Sequence, residues 1–250
     1  MKIRNNTVLI TGGATGIGFS LAEALVRAGN KVIICGRRQS KLEEAKRKLP
    51  QIYIRTCDVS KEKERKALFD WVKDNFKDFN MLINNAGIQR MVDFKKEIRD
   101  LTGGENEIEI NLAAAIYLSA YFIPLLLKQK EAAIINVSSG LAFVPIASMP
   151  VYCATKAAVH SFTMSLRHQL KDTSIKVFEI VPPMVDTELG KGSVEEEGES
   201  NRGIPPAEVA RAVISSLKKD EYEIAVGEAQ GLVTGSRTNP EEVFKSLNEW

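Results

Sequence analysis

The amino-acid sequence predicts an α/β fold, a single doubly wound domain in which helices cover both faces of a parallel, seven-stranded sheet. Three observations indicate this fold. Seven short runs rich in β-branched residues are largely apolar, as expected for strands buried on both faces. Longer segments with helical periodicity separate these runs, and a glycine-rich turn follows the first run. The length of 250 residues suits one domain of this class.

The expected strands and helices alternate along the chain. Strands are expected at 7–10, 31–35, 52–56, 81–84, 133–137, 175–181 and 223–226. Helices are expected near 17–28, 40–49, 61–76, 105–129, 152–171 and 206–218. A sheet connected in this way places its ligand crevice at the carboxyl ends of the strands, where the strand order reverses.

Composition and charge argue against several classes of protein. The net charge is +2 and no basic stripe carries interleaved aromatic residues, so we expect no nucleic-acid partner. The three cysteines are widely spaced, which favours a reducing cytoplasm over a disulfide framework or a metal site. Because M-K-I-R-N-N runs straight into the first strand-like segment, we expect no secretory leader. The longest apolar run, 113–127, is short for a membrane span and is interrupted by Pro124, so we expect a buried helix and no membrane insertion.

The turn after the first strand reads T-G-G-A-T-G-I-G and is suited to holding a phosphate. Gly12, Gly16 and Gly18 have the spacing G-x-x-x-G-x-G immediately before a helical segment. Glycines allow the backbone to turn sharply, to approach a pyrophosphate and to present N–H groups at the positive end of a helix. A tight turn that binds no ligand would also use glycines, so the motif alone does not decide between these interpretations.

The second expected strand ends in C-G-R-R, about twenty residues after the glycine turn. In a dinucleotide-binding fold this position carries either an acid that binds the ribose 2′-hydroxyl or an arginine that binds a 2′-phosphate. Because Arg37 and Arg38 stand here without an acid, we expect NADP(H) in preference to NAD(H), although NAD(H) also remains an expected ligand. The alternative is that both arginines are ordinary solvated charges.

Tyr152 and Lys156 lie four residues apart in V-Y-C-A-T-K-A-A, which stacks their side chains on one helical face. A cation one turn away favours phenolate and is expected to lower the pKa of Tyr152. An interface aromatic beside a solvated charge would show the same spacing, so other motifs must decide.

Four further motifs occur in order along the chain. They are C-D-V at 57–59, N-N-A-G at 84–87, Asn111 inside a helical run, and I-N-V-S-S-G at 135–140. With the glycine turn and Y-C-A-T-K, this ordered set resembles the short-chain dehydrogenase/reductase family over residues 7–226. The combination of S-S-G-L-A-F, P-V-Y-C-A-T-K-A-A and V-P-P-M-V-D-T is similar to a bacterial subgroup associated with D-alanylation of teichoic acids.

The resemblance implies a Rossmann-type NAD(P)-dependent oxidoreductase that acts on a small-molecule carbonyl or alcohol. It implies that Tyr152 is the general acid/base, that Lys156 also holds the nicotinamide ribose, that Ser139 orients the substrate oxygen, and that Asn111 belongs to a proton relay. The cofactor-binding residues that it implies are Gly12, Thr15, Gly16, Ile17, Gly18, Arg37, Arg38, Asp58, Val59, Asn85, Ala86, Gly87, Tyr152, Lys156, Pro182, Val185 and Thr187.

Two features depart from the family pattern or lie outside it. The family pattern often has P-G where this chain has Pro182 and Pro183, and a second proline removes a backbone donor near the expected nicotinamide. Thr187 still stands where the family directs a hydroxyl at the carboxamide. His160 and His168 follow Lys156 on the same expected helix, and we interpret them as solvated or interface residues.

The C-terminal quarter contains two expected accessory segments. A flexible substrate-side loop is expected at 187–204, and its acidic, glycine-rich part at 189–203 is either a solvated linker or a mobile flap. A helical tail is expected at 238–250, with Asn239 as its N-cap and Pro240 at its first position. Its apolar face requires a covering surface.

The sequence leaves more than one function open. The first is an NADP(H)-dependent carbonyl reductase or alcohol dehydrogenase. The alternatives are a nucleotide-sensing protein that binds NAD(P) without turnover and a structural scaffold. The apolar faces of helices 105–129 and 152–171 exceed what one sheet needs, and the family resemblance implies that they pair between subunits of a homo-oligomer. The identity of the substrate is not readable from the sequence.

Overall fold

The computed structural model describes residues 1–95, 104–189 and 203–249, and within these ranges seven parallel strands form one sheet. Their spatial order is β3-β2-β1-β4-β5-β6-β7, so the predicted doubly wound fold is confirmed. The strands are β1 (Thr7–Thr11), β2 (Lys31–Gly36), β3 (Tyr53–Thr56), β4 (Phe79–Asn84), β5 (Ala132–Val137), β6 (Ile175–Val181) and β7 (Glu223–Ala225). Each lies within two residues of its predicted bounds.

The helices occupy both faces of the sheet. They are α1 (Gly16–Arg27), α2 (Gln39–Lys48), α3 (Glu62–Asn75), α4 (Ala114–Leu126), α5 (Pro150–Gln169), α6 (Pro206–Lys218), α7 (Ala229–Thr238) and α8 (Pro240–Asn248). A π-helical turn, Ile108–Ala113, leads into α4, and a 3₁₀ turn, Gly140–Ala142, follows β5.

The alternating side chains of the buried strands build two cores, one on each face of the sheet. Val8 and Ile10 of β1 belong to the core that α1, α2 and α6 cover. Leu9, between them, belongs to the opposite core, where it joins Phe122 of α4 and residues of α3 and α5. Because β1 pairs with both β2 and β4, the strand order reverses beside it, and this reversal places a crevice at its carboxyl end.

The helix formed by the π-helical turn and α4, Ile108–Leu126, is long and apolar enough, by length and composition alone, to cross a membrane. It is longer than the apolar run in the sequence because the π-helical turn extends it to Ile108, and Pro124 lies inside it without ending it. One face, including Leu118 and Phe122, is buried in the core, as expected for this helix. The opposite face is open, and Tyr117 is 50% exposed.

Two helices, α7 and α8, follow the last strand, and the first of them was not predicted. Helix α7 contains Gly231 and Gly235, which disfavour helix formation. Gly235 is needed for packing, because a Cβ atom there would lie 2.6 Å from Cγ2 of Val243 on α8. Helix α8 begins after Asn239 as predicted, but that side chain donates to Glu242 and does not cap the helix, so the predicted cap hydrogen bond was wrong.

Candidate active site

A cleft of about 1010 Å³ opens at the carboxyl ends of the central strands. Its walls come from the segments that follow β1, β2, β3, β4, β5 and β6, together with α5, α7 and α8. Every catalytic and cofactor-binding residue predicted from the sequence lines this cleft, with the exception of Asn111, which is buried beside it. The tertiary structure therefore gathers residues from positions 12 to 187 into one site.

The glycine turn between β1 and α1 leaves no room for side chains. Gly12 and Gly16 have φ angles of +62° and +54°, a conformation that L-residues with a Cβ atom rarely adopt. A Cβ atom on Gly18 would lie 2.4 Å from the carbonyl oxygen of Gly12. Thr15 precedes α1 without capping it through its side chain, and the first turn of α1 contains no acid. These backbone amides fit the pyrophosphate of a dinucleotide.

Thr11 ties the glycine turn to the segment after β4. Its hydroxyl accepts hydrogen bonds from the backbone N–H groups of Asn85 and Ala86, both at 3.0 Å. The Asn85 amide in turn donates to the carbonyl oxygens of Thr11 and Gly12, at 2.9 Å and 3.1 Å. Thr11 was not predicted as a site residue, although it stands at the end of the first strand, directly before the glycines.

The basic residues after β2 are paired with carboxylates from distant segments. Arg37 forms an ion pair with Glu105, and Arg38 donates to Glu188 at 2.7 Å. Lys41, in the first turn of α2, lies 3.5 Å from the same Glu188 and also lines the cleft. Sequence analysis missed Lys41, although R-R-x-x-K places three cations together on this short segment.

Asp58 is held as a carboxylate at the same end of the cleft. It accepts hydrogen bonds from the backbone N–H and the hydroxyl of Ser60, at 2.9 Å and 2.7 Å. Burial acts to raise the pKa of Asp58, but the hydrogen bonds from Ser60 and the positive charges of Lys61 and Arg37 together leave that pKa below its usual value. Val59 beside it is buried against the core.

Tyr152 and Lys156 project from one face of α5 and are both buried, with 6% and 4% of their surfaces exposed. The ammonium nitrogen of Lys156 lies 5.7 Å from the centre of the Tyr152 ring and donates to the carbonyl oxygen of Val137 at 2.8 Å. Ser139 stands directly after β5, and its hydroxyl is close enough to Tyr152 to act on the pKa of the phenol. The backbone N–H of Leu141 fixes the Ser139 oxygen at 3.1 Å.

The protein's own groups do not lower the pKa of Tyr152, in contrast to the expectation from the sequence. Burial raises that pKa to about 12, and the hydrogen bond from Ser139 opposes the rise only in part. Burial also lowers the pKa of Lys156 to about 8. The helical spacing of the two side chains was predicted, but the sequence did not show that both are buried.

Asn111 lies in the π-helical turn and fastens the segment after β4. Its side-chain oxygen accepts from the backbone N–H of Ile88 at 2.8 Å, and its amide donates to the Ile88 carbonyl oxygen at 2.8 Å and to the Thr155 hydroxyl at 3.1 Å. These hydrogen bonds connect the segment after β4 with α5 at the residue immediately before Lys156. Single π-helical turns are frequent at functional sites.

Behind Ser139 lies a polar network that the sequence did not reveal. The Ser138 hydroxyl donates to the fully buried Glu179 of β6 at 2.5 Å, and His160 lies 2.8 Å from the other oxygen of that carboxylate. The hydrogen bond with Glu179 raises the pKa of His160, although burial opposes the rise. His160 is thus neither a solvated nor a simple interface residue, whereas His168 is exposed as expected.

Glu223 brings a third potential metal ligand to this network. Ligand atoms of His160, Glu179 and Glu223 lie within 4.8 Å of one another. Arg237 binds both oxygens of Glu223, at 2.9 Å and 2.8 Å. Because both carboxylates already have protein partners, the network fits a structural role and not a cation site.

The segment after β6 closes the cleft on its far side. The carbonyl oxygen of Pro182 accepts from the backbone N–H of Gly140 at 3.0 Å. A Cβ atom on Gly16 would lie 2.9 Å from the Thr187 methyl group, so this side chain packs directly over the glycine turn. Val185 pairs with Ile204, which brings together the two ends of the expected flexible loop. The centre of that loop, 190–202, lies outside the described residues.

Comparisons with known proteins agree on the type of protein that this chain resembles. A family model described as short chain dehydrogenase matches residues 6–198. The "Uncharacterized oxidoreductase DltE" of Bacillus subtilis is 49% identical over 248 residues, which cover 99% of this chain and 98% of the relative. A short chain dehydrogenase from Burkholderia cenocepacia, solved in complex with NADP, is 26% identical with a TM-score of 0.81 over 99% of each chain.

A second solved structure supports the fold alone. It is a short chain dehydrogenase/reductase from Burkholderia phymatum in complex with NAD, with 20% identity and a TM-score of 0.84 over 100% of this chain and 98% of that chain.

Proposed function

Because the chain belongs to the short-chain dehydrogenase family, we propose that it is an NADP(H)-dependent oxidoreductase that interconverts a carbonyl compound and its alcohol. The family shows that the chain is an oxidoreductase that uses a nicotinamide nucleotide. The proposal adds the role of each catalytic residue and the choice between NADP(H) and NAD(H). One observation carries it: Ser139, the buried Tyr152 and the buried Lys156 one helical turn away line the same cleft.

The nucleotide fits the cleft through the chain's own backbone. The crowded glycine turn and the uncapped N-terminus of α1 would hold the pyrophosphate, because bare N–H groups at the positive end of a helix favour an anion. Asp58 and the segment 85–87 would line the adenosine side. Lys156 would hold the nicotinamide ribose, and Thr187 would meet the carboxamide.

A nicotinamide bound beside Tyr152 supplies hydride exchange with the substrate carbon. The chain's own groups supply the proton and the stabilisation of charge. Tyr152 donates its phenolic proton to the substrate oxygen in reduction and accepts it in oxidation, while the Ser139 hydroxyl donates a hydrogen bond to the same oxygen. The raised pKa of Tyr152, about 12, keeps the phenol protonated at neutral pH, which supports reduction. Lys156 provides the neighbouring positive charge that oxidation requires.

Asn111 would serve the proton relay chiefly as a positioning residue. Both N–H donors and the oxygen of its side-chain amide are engaged with Ile88 and Thr155. Asn111 would therefore join a proton relay that ends at Lys156 through the backbone of the π-helical turn.

Replacement of Tyr152 by phenylalanine tests the proposed chemistry. Tyr152→Phe should lower turnover of a panel of ketones and aldehydes at least about a hundredfold, because it removes only the transferable proton. The cofactor Kd should remain within about twofold of the wild-type value. Tyr117→Phe, on the exposed face of α4 and outside the cleft, is the matched control.

Two outcomes would contradict the proposal in different ways. Retained activity in Tyr152→Phe would remove Tyr152 from its role as acid/base. A wild-type protein that binds NADPH but reduces no carbonyl compound in the panel would favour the nucleotide-sensing alternative.

The preference for NADP(H) rests on the three cations after β2. Arg37, Arg38 and Lys41 all line the cleft where a 2′-phosphate would lie, and a charge-assisted contact contributes about 1.5–3 kcal/mol, or a ten- to hundredfold preference. Solvent exposure favours the lower end of that range. Glu188 pairs with Arg38 and Lys41, so a 2′-phosphate would compete with its carboxylate.

Because Glu188 competes with the 2′-phosphate, substitutions of the arginines and of Glu188 should change NADPH affinity in opposite directions. Arg38→Ala and Arg37→Ala should weaken NADPH binding and leave NADH binding nearly unchanged, whereas Glu188→Gln should strengthen NADPH binding. Equal Kd values for the two cofactors in the wild type, or no response to these three substitutions, would refute the preference for NADP(H).

We also assign the open faces of α4 and α5 to contacts between subunits of a homo-oligomer. Tyr117 on α4 and Met164 on α5 are 50% and 54% exposed. A cytoplasmic location remains a proposal, and the three buried, free cysteines are compatible with it.

A further inference from the structure

The catalytic end of the cleft carries an apolar wall that the proposed chemistry does not use. We define the wall as five half-buried residues that line the cleft: Leu141, Ile146, Met149, Leu232 and Leu247. They come from the 3₁₀ turn, the segment before α5, and helices α7 and α8. Apolar side chains that converge on one end of a cleft favour an apolar part of a ligand.

The wall begins beside the groups that act on the substrate oxygen. The backbone N–H of Leu141 holds the Ser139 hydroxyl, and Met149 precedes Tyr152 by three residues at the start of α5. A Cβ atom on Gly140, next to Ser139, would lie 2.8 Å from Cδ1 of Leu232. A substrate whose oxygen lies between Ser139 and Tyr152 therefore has the wall next to its carbon chain.

Helix α8 is fastened in place at the wall. The Asn248 side chain accepts from the backbone N–H of Ala147 at 2.6 Å and donates to the carbonyl oxygen of Pro145 at 3.1 Å. These hydrogen bonds join the end of α8 to the segment that carries Ile146. Leu247, immediately before Asn248, is therefore held at the cleft.

The basic side chains described along the cleft are already paired or buried. Among the described residues that line it, Arg37, Arg38 and Lys41 stand at the β2 end, and Lys156 is buried against Val137. Glu228, the acidic residue immediately before α7, also lines the cleft, four residues before Leu232 of the wall. An anionic substrate would meet apolar carbon and a like charge here, without a paired cation, which is costly.

We propose that the substrate is an uncharged aliphatic alcohol or carbonyl compound whose chain packs on the apolar wall, and that Leu232 and Leu247 determine this specificity. The inference rests on the proposed function for the position of the substrate oxygen. It adds the chemical class of the carbon chain that carries the substrate oxygen.

The test measures binding and turnover separately. Linear primary alcohols from butanol to octanol are titrated into the enzyme with saturating NADP⁺, beside alkanoates of the same chain lengths. Each added methylene is expected to lower the alcohol Kd about fourfold until the wall is covered, because burial of one CH₂ contributes about 0.8 kcal/mol. Alkanoates are expected to bind at least about tenfold more weakly than alcohols of equal length. Oxidation of each alcohol is followed in parallel.

Substitutions in the wall should change this pattern in a predicted direction. Leu247→Ala should flatten the dependence of Kd on chain length, and Leu247→Lys should strengthen alkanoate binding while weakening alcohol binding. Phe244→Lys, on the same helix but outside the cleft, should leave both series unchanged. Because an unfolded variant would lose NADP⁺ binding as well, the cofactor Kd shows that each variant is intact.

The outcomes separate this inference from the proposed function. A wild-type Kd that changes by less than about 1.5-fold per methylene, or alkanoates that bind as well as alcohols, would overturn the assigned specificity even if other substrates are oxidised. Chain-length-dependent binding without any oxidation would support the apolar wall and contradict the proposed oxidoreductase chemistry.

Discussion

Gly18→Ala tests whether the turn between β1 and α1 is as crowded as the structure indicates. A Cβ atom at this position would lie 2.4 Å from the Gly12 carbonyl oxygen and 2.6 Å from Nδ2 of Asn85. The Asn85 amide can rotate, but the carbonyl belongs to the backbone and moves only with the whole turn. The strain should therefore be near the upper end of the usual cost of overpacking, about 3 kcal/mol.

Helix propensity offsets part of this strain, because Gly18 lies inside α1 and alanine is favoured over glycine there by about 1 kcal/mol. The expected net loss in the free energy of unfolding is about 2 kcal/mol. For a domain of this size, such a loss lowers Tm by about 4–8 °C. The displaced turn should also weaken NADPH binding at least about tenfold, because its N–H groups would no longer point at the pyrophosphate.

Gly36→Ala is the matched control, because it lies in the same cleft at the end of β2 and a Cβ atom there has no neighbour within 4 Å. Its Tm should stay within about 2 °C of the wild type. Thermal unfolding followed by circular dichroism without cofactor, and titration with NADPH, measure the two effects. A Gly18→Ala variant as stable as Gly36→Ala, with an unchanged NADPH Kd, would refute the packing argument.

Three further predictions follow from buried and exposed groups. Lys156→Met should abolish turnover yet raise the free energy of unfolding at pH 7 by roughly 1–3 kcal/mol. Since burial lowers the pKa of Lys156 to about 8, the stability of the wild type should rise between pH 8 and about 10.4. Calorimetry should therefore show the difference in stability between variant and wild type shrinking over that range. His160 faces Glu179, Glu223 and Arg237, and its raised pKa should stabilise the fold fully below about pH 6.5 and progressively less as pH rises through the folded pKa. Wild-type Tm should therefore fall over that window, and the Tm of His160→Gln should not. Parallel Tm curves for the two proteins would exclude titration of His160 among these groups as the cause. Met164→Glu should reduce the mass of the particle measured by light scattering, and an unchanged mass would exclude this face of α5 as a subunit contact.

Local patterns in the sequence were sufficient for most of the fold. The apolar runs and helical periods predicted the seven strands to within two residues, because each depends mainly on its own side chains and their burial. Helix α7 was missed because its two glycines oppose helix formation locally, and packing against Val243 of α8 explains the glycine at 235.

The candidate site was predictable to the extent that its residues lie close together in sequence or in ordered motifs. The four-residue spacing places Tyr152 and Lys156 on one face of α5, and the glycine spacing predicts a tight turn after β1. Their burial is a property of the folded molecule. Burial raises the pKa of Tyr152, whereas the sequence predicted a decrease, because the loss of hydration destabilises the phenolate more than the Ser139 hydroxyl stabilises it.

Contacts between distant segments were decided by the tertiary structure alone. Arg38 meets Glu188 from 150 residues away, and His160 meets a buried Glu179 that belongs to another element. The apolar wall joins side chains from positions 141 to 247. Neither periodicity nor motif spacing encodes such encounters, because side chains on separate elements meet only after the sheet has brought its strand ends to one edge. The sequence by itself therefore determined the scaffold and the type of chemistry, while the packing of remote segments decided which charges are paired, which are buried and what the substrate must touch.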